Sequence, residues 1–527
     1  MDALLADVRY ALRLFRRSPL FTFVACGTLA LGIGANTAIF SIVDAVVIRA
    51  LPYADPDRVI VLWEDNSRAG FAKNTPAPAN FNDWRRLNRT FVDMAATRGA
   101  VATLTADGAP EQIQGRSVTP NFFAVLGVAP ILGRTFTDEE DRSAANVALI
   151  SYGLWQRRYG GDPHIVGRTL LMNDTRYDVV GVMPKAFAFR NRDVDFWWPA
   201  RMTPQQANTR NSHFLNVVGR LKPDATFDAA RDDLRSIARA LTEQYPYTNR
   251  DIGVTLVPAK EEMLGNTRLE LLVLMAAAAA VLLIACGNLA SLLLSRAAGR
   301  SGELAVRAAL GASRARLARQ MMVEGLMLSA AGAIGGGALL PLAGRVLASL
   351  VPIGIAAVSI SAIDVRVLGF TVVTAIATGL LFSVVPALQA GRVSLQESLQ
   401  QQARSAVGSG RLTRDALVVL QIAAAVVLLA ATGLMIRTLV NLRALDLGFA
   451  PERLLTIRTT LPRPKYADAQ TRAVFFDRVV AGVAALPGVV HAGYASNLPF
   501  TSAGNTTAFF IDGVARTPGQ LYDALYR

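Results

Sequence analysis

Glu270–Leu294 reads ELLVLMAAAAAVLLIACGNLASLLL, and Ser295–Arg316 continues as SRAAGRSGELAVRAALGASRAR. After its leading glutamate the first piece carries no charge. It is long enough for the roughly 20 mainly apolar residues that cross about 30 Å of hydrocarbon. The second piece is dense in arginine, and basic residues beside a spanning helix are retained on the cytoplasmic side. The pair predicts a polytopic membrane chain in which this span runs inward.

Four further stretches qualify as spans: Phe21–Ile48, Met321–Leu350, Val367–Gln389 and Ala416–Val440. Hydrophobic residues make up 52% and charged residues 18%, so the 527 residues are not simply several soluble domains. Lys+Arg is 54 against Asp+Glu 40, a surplus of 14. The lysines are Lys73, Lys185, Lys222, Lys260 and Lys465; nearly all positive charge is arginine, and no lysine-rich patch for nucleic acid exists. Cys26 and Cys286 lie in apolar runs and make no disulfide framework.

The arginines set one orientation. Arg9, Arg13, Arg16 and Arg17 precede the first span, and Arg296, Arg300, Arg307, Arg314, Arg316 and Arg319 lie between the second and third. Arg392, Arg404, Arg411 and Arg414 lie between the fourth and fifth, whereas Val351–Arg366 carries only Asp364 and Arg366. The N-terminus, residues 295–320 and residues 390–415 are therefore expected in the cytoplasm, and residues 49–269 and 441–527 outside. Arg345, near the outer end of the third span, runs against this pattern. A cleaved signal peptide predicts an apolar core of about 7–15 residues. Phe21–Ile48 runs far longer and reads as an uncleaved anchor. Before it, within residues 1–20, Leu5, Val8, Leu12 and Phe15 share a helical face opposite arginines, the pattern of a helix on the inner membrane surface. Ser18-Pro19 marks the bend into the span.

Residues 49–269 mix strand and helix signals. Val59–Trp63, Val101–Thr105, Val147–Ser151, Tyr177–Met183 and Leu215–Leu221 read as strands, and Asn80–Ala95 as helical. Phe227, Ala230, Leu234, Ile237 and Leu241 fall on one helix face ending near Tyr245-Pro246. With Val254–Val257 this makes a β-α-β unit in a two-layer α+β domain. Core packing is the first reading of Trp84, Trp155 and Trp197-Trp198, with a substrate or partner surface as the other reading of Trp197-Trp198. The sequence then begins to repeat. Arg49-Ala50-Leu51 recurs as Arg443-Ala444-Leu445, an offset of 394 (443 − 49), and Asp57-Arg58-Val59-Ile60 corresponds to Glu452-Arg453-Leu454-Leu455 at 395 (452 − 57). Ala469–Leu486 matches the helical stretch of the first copy. A second outer domain is expected to start in residues 441–527, on which reading the chain is an incomplete duplicated protein.

Gly287-Asn288-Leu289-Ala290-Ser291, Arg296-Ala297-Ala298-Gly299-Arg300 and Glu303 through Arg314 (ELAVRAALGASR) resemble the cytoplasmic motif of MacB- and FtsX-like ABC transporter permeases. Gly32-Ile33-Gly34-Ala35-Asn36, Asn121-Phe122-Phe123, Leu126-Gly127-Val128, Gly133-Arg134-Thr135-Phe136, Ser151-Tyr152-Gly153-Leu154-Trp155 and Gly181-Val182-Met183-Pro184 resemble the same family, especially its large duplicated (ADOP-type) permeases of acidobacteria. The resemblance implies an α-helical integral membrane protein of the bacterial inner membrane. Its spans would lie at 21–48, 270–294, 321–350, 367–389 and 416–440, with a MacB-type α+β periplasmic core between the first two. It also implies a separate ABC ATPase as partner, with ATP used only through it, and a second permease and a periplasmic adaptor as further partners to seek. The function implied is export driven through periplasmic domains. An FtsX-like regulator of a periplasmic enzyme and an inactive truncated permease are the alternatives.

No enzymatic chemistry is expected. None of the five lysines sits in Gly-Lys-Ser/Thr, and neither a G-x-S-x-G nor an H-E-x-x-H element occurs. His164, His213 and His491 lack metal-ligand spacing. The coupling loop is the candidate site: Arg296, Arg300, Glu303, Arg307, Gly311 and Arg314, with Leu304, Ala308, Gly311 and Ala315 forming a small-residue face. The resemblance makes it a coupling helix; as a bare sequence it also reads as a topogenic loop on anionic headgroups. Ala30, Gly34 and Ala38, and Gly332 and Gly336, place small residues at every fourth position for close helix packing, within the bundle or in a dimer. Asn36 is expected to donate an interhelical hydrogen bond, and Asp44 to be solvated at the membrane interface.

Overall fold

The computed structural model describes residues 2–44, 48, 53–105, 108–189, 194–265, 267–299, 313–350, 364–390, 411–445, 453–457, 459, 461, 465–466, 468–495, 505–509 and 522–526. The chain divides into two units. One comprises Met1–Arg49 and Asn266–Leu454, the other Ala50–Gly265 and Leu455–Arg527.

The first unit is helical. An amphipathic helix α1 (Asp2–Arg17) stops at Ser18, and Pro19 starts α2 (Pro19–Val43), its fixed φ suited to a first helical turn. Residues 50–265, which belong to the second unit, separate these from the later long helices. Among the described residues five helices are long and apolar enough to cross a membrane, the first of them α2, with candidate stretches at Pro19–Val43, Leu269–Leu293, Ala315–Leu342, Val365–Val384 and Val418–Arg443.

The second unit is α+β and is built on an eleven-stranded sheet. Its strands are β1 (Val59–Asn66), β2 (Phe71–Asn74), β3 (Phe91–Leu104), β4 (Glu111–Val118), β5 (Leu132–Gly133), β6 (Val147–Ile150), β7 (Thr169–Met172), β8 (Thr175–Val182), β9 (Phe196–Pro199), β11 (Asn216–Leu221) and β12 (Gly253–Pro258), with β10 (Ser212–His213) in a separate small sheet. The path runs β12-β1-β11-β3-β4-β9-β6-β8-β5, with β2 on β1 and β7 bridging β3 and β8. The helices between these strands are α3 (Pro78–Leu87), α4 (Phe122–Leu126), α5 (Asp138–Arg142), α6 (Tyr152–Tyr159), α7 (Pro204–Ala207), α8 (Phe227–Gln244) and α9 (Ala259–Leu264).

Strand β1 shows how the sheet is covered on both faces. Successive side chains on a strand point to opposite faces. Val59, Val61 and Trp63 enter one core with Phe122, Phe123 and Trp197, and Ile60 and Leu62 enter the other with Trp84 and the buried face of α8. Covered on both sides, β1 is continuously apolar before its first acid, Glu64. The expected β-α-β unit is present in split form. Both β11 and β12 pair antiparallel with β1, so they run parallel to each other with β1 between them and α8 as the crossover. The Thr226 hydroxyl caps α8 by accepting the Ala229 N–H at 3.2 Å.

The helical reading of Asn80–Ala95 needs correction, because α3 ends at Leu87 and β3 begins at Phe91. Asn88 makes the switch. Its amide donates to the carbonyls of Trp84 and Arg85, both at 2.9 Å, and its side-chain oxygen accepts the Phe91 N–H at 3.0 Å. An asparagine offering the backbone these local partners competes with continued helix. The strand read at Val101–Thr105 is the end of this longer β3.

After α9 come α10 (Thr267–Gly299), α11 (Arg314–Leu350), α12 (Val365–Ala390) and α13 (Arg411–Arg443), all in the helical unit. The C-terminal segment contributes α14 (Ala469–Ala484) and the hairpin β13 (Asn505–Phe509) and β14 (Tyr522–Tyr526), β13 pairing antiparallel with β10.

Candidate functional site

In the helical unit α1 is held by one face. Asp7 and Ala11 are buried, and the Arg319 Nε of α11 donates to an Asp7 oxygen at 2.9 Å. Leu4, Leu5 and Leu12 remain exposed, as do Arg9, Arg13, Arg16 and Arg17. At the junction of α1 and α2, Thr22 Oγ1 bonds to the carbonyls of Phe15 at 3.1 Å and Ser18 at 3.0 Å. Arg296, near the end of α10, reaches the same junction. It donates to Ser18 Oγ at 2.7 Å and stacks over the Phe21 ring at 4.6 Å from the centroid. Of the six candidate coupling residues, Arg296 is the one whose side chain is described, and it binds within the bundle. Arg314 opens α11, and Arg300, Glu303, Arg307 and Gly311 lie outside the described residues.

The small residues of α2 and α11 meet. A Cβ built on Gly336 would fall 2.8 Å from the Ala30 carbonyl oxygen and 3.0 Å from Gly34 Cα, and one on Gly332 would fall 2.5 Å from Leu29 Cβ. Only hydrogen fits at this crossing. Ala38 is buried further along α2. Asn36 is also buried; its amide donates to Gly32 O and, across to α10, to Ala278 O, both at 2.9 Å. A second seam, not singled out from the sequence, joins an earlier stretch of α11 to α12. A Cβ on Gly379 would fall 2.6 Å from Ser329 Oγ, and one on Gly325 would fall 3.0 Å from the Gly379 carbonyl oxygen. Gly325 with Ser329, and Gly379 with Ser383, carry the same every-fourth-residue spacing that flagged the first seam. Helix α13 touches α10 where Gln421 sits over Gly287, and its other described side chains are mostly exposed.

Asp44 departs from the sequence expectation. Its side chain is 0% exposed and lies 3.6 Å from Nη1 of Arg366, so a charged partner takes the place of interfacial water.

In the outer unit the motif residues serve packing. Phe122 and Phe123 are fully buried, and the Asn121 amide ties the start of α4 to β3 through Asp93 at 2.7 Å and Met94 O at 2.9 Å. Gly133 and Gly181 face each other across β5 and β8. With φ +76 at Gly133, and a Cβ there 2.1 Å from the Val180 carbonyl oxygen, neither conformation nor space admits a side chain. Trp197 is buried in the aromatic core, and Trp198 stacks on Tyr177 with centroids 5.3 Å apart, so both pack inside the domain.

The sequence also did not single out a buried polar network. Glu64 Oε1 accepts from Ala77 N at 2.9 Å and Asn80 Nδ2 at 2.7 Å, and Glu64 Oε2 lies 2.6 Å from His213 Nδ1. Asn80 Oδ1 in turn accepts from Arg210 at 2.6 Å and Asn249 at 2.8 Å, and Arg210 also binds Asp83. Burial of an acid demands such partners. Among the described residues no cluster of His, Cys, Asp and Glu is arranged to hold a metal.

Two carboxylates of this unit are shifted in opposite directions. Burial pushes Asp93 up, but hydrogen bonds from Arg85, Asn121 and the Met94 N–H outweigh it and hold the group below the usual aspartate range. For Asp195 burial prevails over its pairing with Arg157, and the group lies above that range.

Residues 22–237 match the MacB-like periplasmic core domain, and residues 275–395 match the FtsX-like permease C-terminal domain. The macrolide export ATP-binding/permease protein MacB of Neisseria meningitidis (serogroup A / serotype 4A) is 26% identical over 223 residues, 42% of this chain and 33% of that protein. The pyoverdine export ATP-binding/permease protein PvdT of Pseudomonas syringae pv. syringae is 25% identical over 280 residues, 52% of this chain and 40% of that protein. The crystal structure of the periplasmic region of MacB from Actinobacillus actinomycetemcomitans aligns at a TM-score of 0.31 and 11% identity, covering 40% of this chain and 92% of that one. The chain spans less than half the length of these curated relatives.

Proposed function

We propose that this chain is the permease subunit of an ABC-type export system in a bacterial inner membrane, transmitting motion from a separate ATPase to its outer domain. The observation that carries this reading is the order of parts. The match to a MacB-like core domain begins within the first long apolar helix and runs to residue 237, and the match to an FtsX-like permease domain begins within the second. Its two curated relatives above are named as ATP-binding/permease proteins, whereas none of this chain's five lysines lies in a Gly-Lys-Ser/Thr phosphate loop, which supports a partner that supplies ATP hydrolysis. The five long helices are the spans of this proposal, with the N-terminus and residues 295–320 on the cytoplasmic side by the arginine rule.

In this mechanism ATP-driven closure of the partner pushes on the loop after α10. Close helix seams such as Gly34–Gly336 make α2 and α11 move together rather than slide, since packed small-residue crossings leave no slack. Substrate leaves from the outer side without an aqueous pore through the spans. The repeated Arg-Ala-Leu at an offset of 394 (443 − 49) supports placing the chain with the duplicated permeases, α13 being the first span of the second copy. The FtsX-like match supports a second reading, a regulator that uses the same mechanics to activate a periplasmic enzyme.

Affinity purification of the full-length protein from its native membrane tests the first reading. Co-purification of an ATPase whose hydrolysis responds to the permease is the expected outcome, and its absence in mild detergent refutes the ABC-coupled account. A periplasmic hydrolase captured together with that ATPase favours the regulator.

A further inference from the structure

The first long helix ends in an acid at a place where its own electrostatics oppose it. Asp44 caps the C-terminus of α2, with its N–H bonded to the carbonyls of Phe40 and Ser41. Helix C-termini carry partial negative charge, so a carboxylate there is disfavoured, and burial disfavours it further. Arg366 is the second residue of α12, where the partial positive charge of an N-terminus disfavours a cation. Each charge is repelled by its own helix end and attracted by the end of the other, and Asp44 Oδ1 lies 3.6 Å from Arg366 Nη1. Asp364 is the other acid at this end, and its carboxylate accepts the Arg366 backbone N–H at 2.9 Å. Behind the pair the two helices form a continuous seam. Phe40 stacks on Phe370 with centroids 4.0 Å apart and planes within 2°, and Thr37 Oγ1 lies 3.2 Å from Thr371 Oγ1.

We propose that Asp44 and Arg366 are positioning residues: an ion pair that latches the end of α2 to the start of α12. An acid inside a membrane helix is expensive and pairs with a partner, and such a residue is by default a candidate functional position. Here separation of α2 from α12 leaves both charges facing helix ends that repel them. The seam therefore has a closed arrangement and an open one, with little stability between them. The latch itself follows from the contacts. Its part in transmitting force rests on the permease reading above.

The test separates the two. Thr37→Cys with Thr371→Cys, in a full-length chain whose Cys26 and Cys286 are replaced by alanine, reports the closed seam by oxidative cross-linking in native membranes. Asp44→Asn is expected to slow cross-linking at least fivefold, and Arg366→Lys, which keeps the charge, to stay within twofold of the parent. Cross-linking of Asp44→Asn at the parental rate overturns the latch. Should Asp44→Asn fail to give a monodisperse protein, Arg366→Gln, altering a side chain 61% exposed, carries the same expectation and the same refutation. For the role, ATP hydrolysis by the co-purified ATPase is measured before and after the disulfide forms. Hydrolysis is expected to fall at least tenfold with co-purification unchanged, and unchanged hydrolysis overturns the role. If no ATPase co-purifies, the permease reading fails while the cross-linking result still decides the latch.

Discussion

Replacing Gly336 with alanine puts the α2–α11 crossing to a direct test, because the neighbouring glycine supplies its own control. The added methyl would lie 2.8 Å from the Ala30 carbonyl oxygen, 2.9 Å from Gly34 N and 3.0 Å from Gly34 Cα. Non-bonded heavy atoms settle at about 3.5–4.0 Å, so the helices must part by roughly 0.5–1 Å. Overpacking of this kind costs about 1–3 kcal/mol, partly offset by up to about 1 kcal/mol from the better helix propensity of alanine. Gly337, one position on, has no atom within 4 Å of its built Cβ, so Gly337→Ala collects the propensity gain alone. The two variants are thus expected to differ by about 1–3 kcal/mol in opposite senses around the parent. Gly34→Ala should resemble Gly336→Ala, and the double variant should cost less than the sum, since helices already separated leave room for the second methyl. The assay is the midpoint of thermal loss of the monodisperse peak in detergent, run on the parent and all four variants. If Gly336→Ala is as benign as Gly337→Ala, the crossing is not a close contact and the account of a slack-free seam is wrong.

Asn36→Ala removes the bond to Ala278 O and is expected to lower the same midpoint by the equivalent of about 0.6–1.7 kcal/mol, with no loss meaning that the α2–α10 contact is made otherwise. Trp84→Ala empties a fully buried site beside α8 and should destabilise the outer domain by about 3–5 kcal/mol in denaturant titration monitored by circular dichroism. The pH dependence of that titration has two opposed parts. Asp93, held low, contributes stability that is present above the ordinary aspartate range and lost as pH falls through its lowered value, so Asp93→Asn should flatten the acid-side decline. Asp195, held high, favours the folded state least once pH has risen through its raised value, so Asp195→Asn should gain relative to the parent between acid and neutral pH. On the permease reading, Glu303→Ala with Arg307→Ala should abolish capture of the proposed ATPase, and undiminished capture with full hydrolysis rejects coupling through those residues.

How much of this was legible in the sequence depended on how far apart the interacting residues lie. Gly332 and Gly336, like Ala30 and Gly34, carry their message in a four-residue spacing, so a face can be read before its partner is known. The seam at Gly325, Ser329, Gly379 and Ser383 has the same spacing, but two of its four members are serines, which dilute a glycine pattern. The α8 face and the split β-α-β unit were readable because their periods, 3.6 and 2, are local properties. What stayed hidden was every choice made by a distant charge. Glu64 stands 149 positions from His213 (213 − 64), and Asp44 stands 322 from Arg366 (366 − 44). In each case the acid by itself looks like the polar end of an apolar run, and water is the partner a single sequence supplies by default. The helix read across Asn80–Ala95 failed for a related reason: the apolar residues Phe81, Trp84, Phe91 and Met94 continue past the break, and the three hydrogen bonds of Asn88 decide where helix gives way to strand. A buried charge paired across the chain is costly to place and costly to leave without its partner. The same property that hides Asp44 from local pattern reading therefore makes it the residue whose neutralisation most sharply distinguishes a latched seam from ordinary helix packing.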